Sequence, residues 1–90
     1  MLFRSERFLL DSPETTIGRS GDNDVLLDDV TVSRKHANIR RAGERFELID
    51  LGSLNGTYVN NNSIARATLN SGDEIQFGKF HMLFVQNARK

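Results

Sequence analysis

The sequence has no cysteine, no tryptophan and a single proline in its 90 residues. The lack of cysteine excludes a disulfide framework, a thiolate nucleophile and a cysteine-ligated zinc site. Net charge is also lacking, because 12 Lys and Arg balance 12 Asp and Glu, so the broad basic face of a non-specific nucleic-acid binder is not expected. No apolar run approaches about 18 residues and no targeting or lipidation signal is present. These absences favour a cytoplasmic protein that binds neither nucleic acid nor membrane.

Short segments with strand character are separated by turn residues along the whole sequence, and apolar residues are not kept at helical spacing. In 36–41, Ala37 and Ile39 share one face while Asn38 lies on the other, and the turn "RAGE" leads into "RFELIDL". This pattern predicts a hairpin. Further turn signals are Asn60 to Asn62, Ser71 to Asp73 and Gly78-Lys79. "FHMLFV" is apolar on both faces, which predicts a central strand buried on both sides. "RFLL" and "TTIG" predict a strand-turn-strand unit at the front, and the whole pattern predicts an all-β sandwich.

Three groups of polar residues between the predicted strands are unlike ordinary turns. They are Gly18-Arg19-Ser20-Gly21, Ser33-Arg34-Lys35-His36 and Ser53-Leu54-Asn55-Gly56-Thr57. Because a sandwich gathers its loops at two ends, all three groups can lie on one rim.

The side chains of these groups suit a phosphate on an extended peptide. Arg19 offers a planar fork of donors and Ser33 offers a hydroxyl. A second cation could come from Arg34 or Lys35. Of these two, Lys35 is expected to face solvent. Asn55 offers both a donor and an acceptor to a peptide backbone. Taken singly, each has a plainer interpretation: a solvated arginine, a turn serine, or an asparagine that fills a positive-φ position.

The ordered set Gly18-Arg19, Ser33-x-x-His36 and Ser53-x-Asn55-Gly56-Thr57 resembles the signature of forkhead-associated (FHA) domains, which are phosphothreonine-binding β-sandwiches. The resemblance covers residues 8–85 and implies one FHA domain over residues 1–90, with two antiparallel sheets. "LDDVTVSRKHA", "GSLNGTYVN" and "GDEIQFGKF" are further similar to small actinobacterial FHA regulators of 2-oxoglutarate and glutamate metabolism.

The resemblance implies a role for each matched residue. Arg19, Ser33 and Arg34 would contact phosphate, and Asn55, with Ser53 and Leu54 beside it, would contact the peptide. Structural roles would belong to Gly18, His36, Gly56 and Thr57. No cofactor or metal is implied. The expected partner is a phosphothreonine protein or peptide, such as a Ser/Thr kinase or a 2-oxoglutarate-metabolising enzyme, and the expected function is kinase signalling without catalysis.

The sequence departs from the family pattern at its front and at position 54. Only "MLFRSE" precedes "RFLL", so the first strand is expected to be short or missing, which would leave the chain either a monomer or a strand-swapped dimer. Those six residues also leave no room for the phosphorylatable tail of the related regulators, and the threonines of "ETT" at 14–16 are predicted to be strand residues. Leu54 stands where many FHA domains have Thr or Ser, so one phosphate contact is either lost or supplied by Ser53.

Other function classes fit the sequence less well. An enzyme would need Ser33 and His36 as nucleophile and base, with Asp28, Asp29 or Asp50 orienting the imidazole. Side chains three apart in an extended segment point to opposite faces, however. Arginines could bind nucleic acid, but one Tyr and no Trp leave few stacking groups. "DNDVLLDD" lacks the ligand order and closing Glu of a calcium loop.

Overall fold

The computed structural model of the protein describes residues 1–3 and 7–86. All of its regular elements are strands: β1 (Leu2–Phe3), β2 (Arg7–Phe8), β3 (Glu14–Gly18), β4 (Val25–Leu26), β5 (Ala37–Ala42), β6 (Arg45–Asp50), β7 (Thr57–Val59), β8 (Asn62–Ile64), β9 (Arg66–Thr68), β10 (Glu74–Phe77) and β11 (Phe80–Phe84). No helix long and apolar enough to cross a membrane occurs among the described residues.

The strands form two sheets. The six-stranded sheet has the order β2-β1-β11-β10-β7-β8, and the five-stranded sheet has the order β4-β3-β5-β6-β9. The pairs are antiparallel except β3 with β4, which are parallel, with Ile17 opposite Val25. The predicted all-β sandwich of two antiparallel sheets is therefore confirmed, apart from this one parallel pair.

An apolar core lies between the sheets, as expected for two layers that each bury one face. Ile17, Ile39 and Leu48 face it from the five-stranded sheet, and Ile75 and Phe77 face it from the six-stranded sheet, each at most 1% exposed. In β10 the buried residues alternate with more exposed ones, as the period of a strand requires. The alternation therefore fixes which residues of each strand are free to face solvent.

Two predicted turns are present as expected. β5 and β6 form an antiparallel pair in which Ala37 lies opposite Asp50 and Ala42 lies opposite Arg45, so the predicted hairpin is confirmed. The turn between β7 and β8 places Asn60 at φ 51° and Asn61 at φ 70°, a backbone region that asparagine tolerates better than most residues.

One sequence prediction needs correction. β11 is central, but only one of its faces is buried: Met82 and Phe84 lie in the core while Leu83 is 39% exposed, because none of the described residues covers the outer face of the sheet there. The segments at "RFLL" and "TTIG" form the predicted strands, β2 and β3, with a bend at 12–13 between them, and these two strands belong to different sheets. Asn38 lies on the face opposite Ala37 and Ile39, as predicted, but it is only 7% exposed, and its amide donates to Glu14 on the neighbouring strand.

The expected short first strand exists and has two residues. Leu2 pairs with Phe84 on one side and with Phe8 on the other, and its side chain is fully buried. The backbone of Met1 extends this pairing through Val85 at 2.9 Å in both directions. Despite its length, β1 closes the core on this side.

One end of the sandwich collects the three polar groups of the sequence. β3 and β6 end there at Gly18 and Asp50, β5 and β7 begin there at Ala37 and Thr57, and the turn after β10 lies there too. We call this end the binding rim. Its parts are the first loop (19–24), the second loop (27–36), the third loop (51–56) and the 78–79 turn.

Candidate functional site

The first and second loops are joined by backbone hydrogen bonds beside Arg19. The Arg19 N–H donates to the Ser33 carbonyl at 3.0 Å. The Arg19 side chain is held as well, because its Nε donates to the Val32 carbonyl at 3.0 Å. Its terminal guanidinium nitrogens make no hydrogen bond within the described part of the chain and remain for a ligand. The Arg19 guanidinium is therefore fixed at its Nε and free at its two terminal nitrogens, which suits bidentate binding of an anion.

Gly18 lies against the second loop with no space for a side chain. A Cβ built on it would stand 2.1 Å from the Arg34 carbonyl oxygen and 2.7 Å from the side-chain nitrogen of Asn23. That same carbonyl accepts hydrogen bonds from the Ser20 N–H at 3.3 Å and from Asn23 Nδ2 at 2.8 Å. Glycine is needed here for close approach, and its φ is not positive.

His36 joins the second loop to the third. The ring is fully buried and packs edge-on against Phe77, with 5.7 Å between ring centroids. Its Nδ1 accepts from the backbone N–H of Ser33 at 3.1 Å, and its Nε2 lies 2.8 Å from the Gly56 carbonyl, to which it donates in the tautomer that the first bond requires. Both ring nitrogens are thereby used in holding loops.

Ser33 and His36 are not arranged as nucleophile and base. Among the described residues, the Ser33 hydroxyl is bonded to the third loop: its Oγ accepts the backbone N–H of Leu54 at 3.0 Å. The imidazole contacts the serine backbone instead, and a base needs a free nitrogen within hydrogen-bond reach of the nucleophile. The geometry fits a positioned hydroxyl, with Leu54 held beside it and 88% exposed.

Asn55 lies exposed on the third loop and is tied to the second. Its Nδ2 donates to the Thr31 carbonyl at 2.8 Å, which leaves the side-chain oxygen available as an acceptor. Gly56 follows with φ 84°, a conformation for which glycine is the default residue. The amide group of Asn55 is therefore held in place before any ligand arrives.

The carboxylate of Asp50, at the end of β6, holds the third loop through hydrogen bonds. Its Oδ1 accepts from the hydroxyls of Ser53 and Thr57, both at 2.6 Å, and its Oδ2 accepts from the backbone N–H groups of Gly52 and Ser53 at 3.0 and 3.2 Å. Burial alone would raise the pKa of Asp50, but these hydrogen bonds outweigh it and hold the pKa below its ordinary value. Ser53 and Thr57 thus point to Asp50, which the sequence analysis considered only as a member of a triad.

Asp29 plays a similar part in the second loop. Its Oδ2 accepts from the backbone N–H and the hydroxyl of Thr31 at 2.9 and 2.6 Å, and its Oδ1 lies 3.1 Å from Lys79 Nζ. The hydroxyl and backbone of Thr31, followed by Lys79, lower the pKa of Asp29 to about 2.

A hollow of about 400 Å³ lies beside Asn55 and is bordered by Thr31, Tyr58 and Lys79.

The remaining charged groups of the rim are exposed or paired. Arg34 is exposed, and Lys35, which was expected to face solvent, lies 3.6 Å from Asp22 with a side chain that is 70% exposed. The acidic stretch 22–29 does not converge on one point, since Asp24 bonds Thr16 instead. That bond and the 5% exposure of Thr15 fit the prediction that 14–16 is strand.

The structure therefore brings together every residue that the sequence analysis assigned to the site. Arg19, Ser33, Arg34, Leu54 and Asn55 lie on adjoining loops of one rim. Five residues that the sequence did not predict for the site hold these loops: Asn23, Asp29, Thr31, Asp50 and Lys79. Sequence patterns could suggest only that Asp29 two residues before Thr31 forms a local turn.

Comparison with known proteins agrees with this geometry. The family model for the FHA domain matches residues 15–78. The chain belongs to the FHA domain family. This FHA domain is 55% identical over 83 residues to the oxoglutarate dehydrogenase inhibitor of Corynebacterium diphtheriae, covering 92% of this chain and 58% of that protein. It is 56% identical over 83 residues to the glycogen accumulation regulator GarA of Mycolicibacterium smegmatis, covering 92% of this chain and 52% of that protein.

A solved structure from work on phosphothreonine-dependent FHA domain interactions superimposes on this FHA domain with a TM-score of 0.92. The two are 35% identical, and the match covers 98% of this chain and 96% of the other. The chain spans little more than half the length of the two curated relatives. The resemblance to small actinobacterial FHA regulators is confirmed for the FHA region that they share.

Proposed function

We propose that this FHA domain binds an extended segment of a partner protein when a threonine in that segment is phosphorylated, without making or breaking a bond. The observation that carries the proposal is the free end of the Arg19 guanidinium, fixed at its Nε beside the positioned Ser33 hydroxyl. Arg34 adds a second, exposed cation. In this proposal Asn55, next to Ser53 and Leu54, holds the peptide backbone, and the hollow beside it has space for a flanking side chain.

Charge and preorganisation support this function. A phosphorylated threonine carries about −1.5 to −2 charges and three acceptor oxygens, which two arginines and a hydroxyl can match. The loops are already joined by the bonds of His36, Asp50 and Asn55, so little ordering entropy is lost on binding. Selection of threonine over serine requires a contact for its methyl group, and Leu54 is the exposed apolar residue bonded to Ser33.

We infer the partner class from the relatives. Two of them are named an oxoglutarate dehydrogenase inhibitor and a glycogen accumulation regulator. The partner proposed here is a phosphothreonine protein in Ser/Thr kinase signalling, either a kinase or a 2-oxoglutarate-metabolising enzyme. The chain is proposed to act in the cytoplasm as one FHA domain over residues 1–90.

The test is a fluorescence-polarisation titration with three labelled degenerate peptide libraries. They differ only in the central residue, which is phosphothreonine, threonine or phosphoserine. Arg19→Ala removes a charge-assisted hydrogen bond of about 1.5–3 kcal/mol, which corresponds to roughly a tenfold to hundredfold rise in Kd. Arg45→Ala is the matched control, since it removes the same charge from the exposed start of β6, at the opposite end of the sandwich.

Binding of the phosphothreonine library alone, weakened by Arg19→Ala and unchanged by Arg45→Ala, is the expected result. Equal binding of the three libraries would exclude phosphate recognition. Equal loss in both arginine variants would show that the phosphate is attracted by overall charge and not held at the rim.

A further inference from the structure

Thr31 lies where three parts of the binding rim meet. Its backbone N–H and its hydroxyl donate to Asp29 at 2.9 and 2.6 Å. Its Oγ1 accepts the backbone N–H of Lys79 from the 78–79 turn at 3.0 Å. Its carbonyl accepts Asn55 Nδ2 from the third loop at 2.8 Å. One residue of the second loop thus contacts two other segments through separate atoms.

The hydroxyl of Thr31 both donates and accepts a hydrogen bond within the protein. It donates to a carboxylate whose other oxygen is paired with the Lys79 ammonium at 3.1 Å, and it accepts from the backbone of that same lysine. A hydroxyl with these two partners has a fixed orientation, and hydrogen bonds to a charged group are the stronger kind. The backbone of Thr31, including its carbonyl, is therefore fixed by its own side chain.

Asn55 depends on that carbonyl. It is exposed on its loop, and the bond to Thr31 is its one side-chain hydrogen bond among the described residues. An exposed asparagine without such a bond would sample several rotamers, and fixing it at the moment of binding would cost affinity.

We propose that Thr31 is a positioning residue for phosphopeptide binding, whose hydroxyl fixes the carbonyl that orients Asn55. Thr31 acts through Asn55 and does not touch the phosphate. This inference rests on the proposed function, because it assumes that Asn55 holds the peptide.

Gly78 lies against the carbonyl and the hydroxyl of Thr31, which gives a second, independent way to test the proposal. Its φ is 57°, and a Cβ built on it would stand 2.5 Å from both the carbonyl oxygen and the Oγ1 of Thr31. A side chain at position 78 would therefore displace the two atoms on which the proposal depends. Gly43 has a similar φ of 65° with no atom within 4 Å of its built Cβ, so it shares the backbone strain without the collision.

The experiment is a double-mutant cycle on phosphothreonine-peptide affinity with Thr31→Val and Asn55→Ala. Valine keeps the branched shape and removes the hydroxyl. One lost hydrogen bond predicts roughly a threefold to tenfold rise in Kd for Thr31→Val alone. In the Asn55→Ala background, we expect Thr31→Val to cause no further rise in Kd. Thr31→Ser keeps the hydroxyl and should bind the peptide with nearly the affinity of the wild type.

Each outcome decides the proposal. Additive effects of Thr31→Val and Asn55→Ala would overturn it, because Thr31 would then act independently of Asn55. Equal weakening by Thr31→Ser and Thr31→Val would also overturn it, since the hydroxyl would not be the active group. Failure of the wild type to bind phosphothreonine peptide would refute the proposed function instead, a result that the Arg19→Ala titration identifies separately.

A pair of glycine variants tests the inference without substituting Thr31. Gly78→Ala should raise Kd by several fold, whereas Gly43→Ala should leave it unchanged although both variants pay for a positive φ. Melting temperatures measured on both variants separate affinity from stability. Unchanged affinity in folded Gly78→Ala protein would contradict the dependence of Asn55 on this contact.

Discussion

Substitution of Gly18 by alanine tests how closely the first and second loops must approach. The new methyl group would stand 2.1 Å from the Arg34 carbonyl oxygen, whereas real Cβ contacts are essentially never closer than 3.0 Å. The loops must therefore separate by about 1 Å. That movement strains the bonds from Ser20 and Asn23 to the same carbonyl, which are 3.3 and 2.8 Å long.

The expected cost follows from these contacts. Two weakened hydrogen bonds account for about 1–3 kcal/mol, and an overpacked site adds about 1–3 kcal/mol. A loss of about 2–6 kcal/mol in the free energy of unfolding is therefore expected, which at about 4–8 °C per kcal/mol lowers the Tm of a domain of this size by roughly 10–50 °C. The phosphopeptide affinity should fall too, because Arg19 follows Gly18 and bonds to Ser33 beside Arg34.

Gly21→Ala is the matched control in the same loop. No atom lies within 4 Å of a Cβ built on Gly21 and its φ is not positive, so alanine there should leave Tm unchanged or raise it slightly by reducing the entropy of the unfolded chain. Thermal melts followed by far-ultraviolet circular dichroism measure both variants, and polarisation titrations measure their affinities. Equal Tm and equal affinity for Gly18→Ala and Gly21→Ala would refute the reasoning from close approach.

Other predictions concern the supports of the loops. His36→Ala leaves the Ser33 N–H and the Gly56 carbonyl without their partner, so a loss of about 2–4 kcal/mol and weaker peptide binding are expected; an unchanged Tm would contradict the linking role of this histidine. The pKa of Asp50 is lowered by folding, so its contribution to stability is present above about pH 4, its unfolded pKa, and is lost as the pH falls through its folded pKa. Acid titrations of unfolding should therefore show the wild type and Asp50→Asn converging at low pH, and parallel curves would contradict this. Asn61→Ala should cost about 1 kcal/mol because φ is positive there, Asn61→Gly should cost less, and neither should change peptide affinity, since the turn lies at the far end of β7.

Local patterns predicted the elements whose partners are close in sequence. The β5–β6 hairpin followed from alternation and a glycine turn, and the turn at Asn60 and Asn61 followed from residues that accept positive φ. Patterns did not show what covers each face. β11 is apolar throughout, yet one of its faces is uncovered, and Asn38 is polar, yet it is buried beside Glu14 from another strand.

The same limit applies to the candidate site. Arg19, Ser33 and Asn55 could be selected because their functional groups suit a phosphopeptide. Asp29, Thr31 and Lys79 have no such signature, since their importance lies in hydrogen bonds between segments as far apart as residues 31 and 79. Asp50 was noticed only as an acid near a histidine, and the four donors around it depend on how the third loop folds back.

The pairing of the two lysines at the rim has a kinetic consequence. Lys35 lies 3.6 Å from Asp22 and Lys79 lies 3.1 Å from Asp29, and the chain as a whole has no net charge. This pairing leaves Arg19 and Arg34 as the rim cations outside the ion pairs of the described residues, so we expect a weak field outside the rim and strong attraction of a phosphate only at contact. Encounter rates should stay near the unsteered range of about 10⁵–10⁶ M⁻¹s⁻¹ and change little with ionic strength. Phosphorylated and unphosphorylated partners would then meet the domain equally often and differ in how long they remain bound.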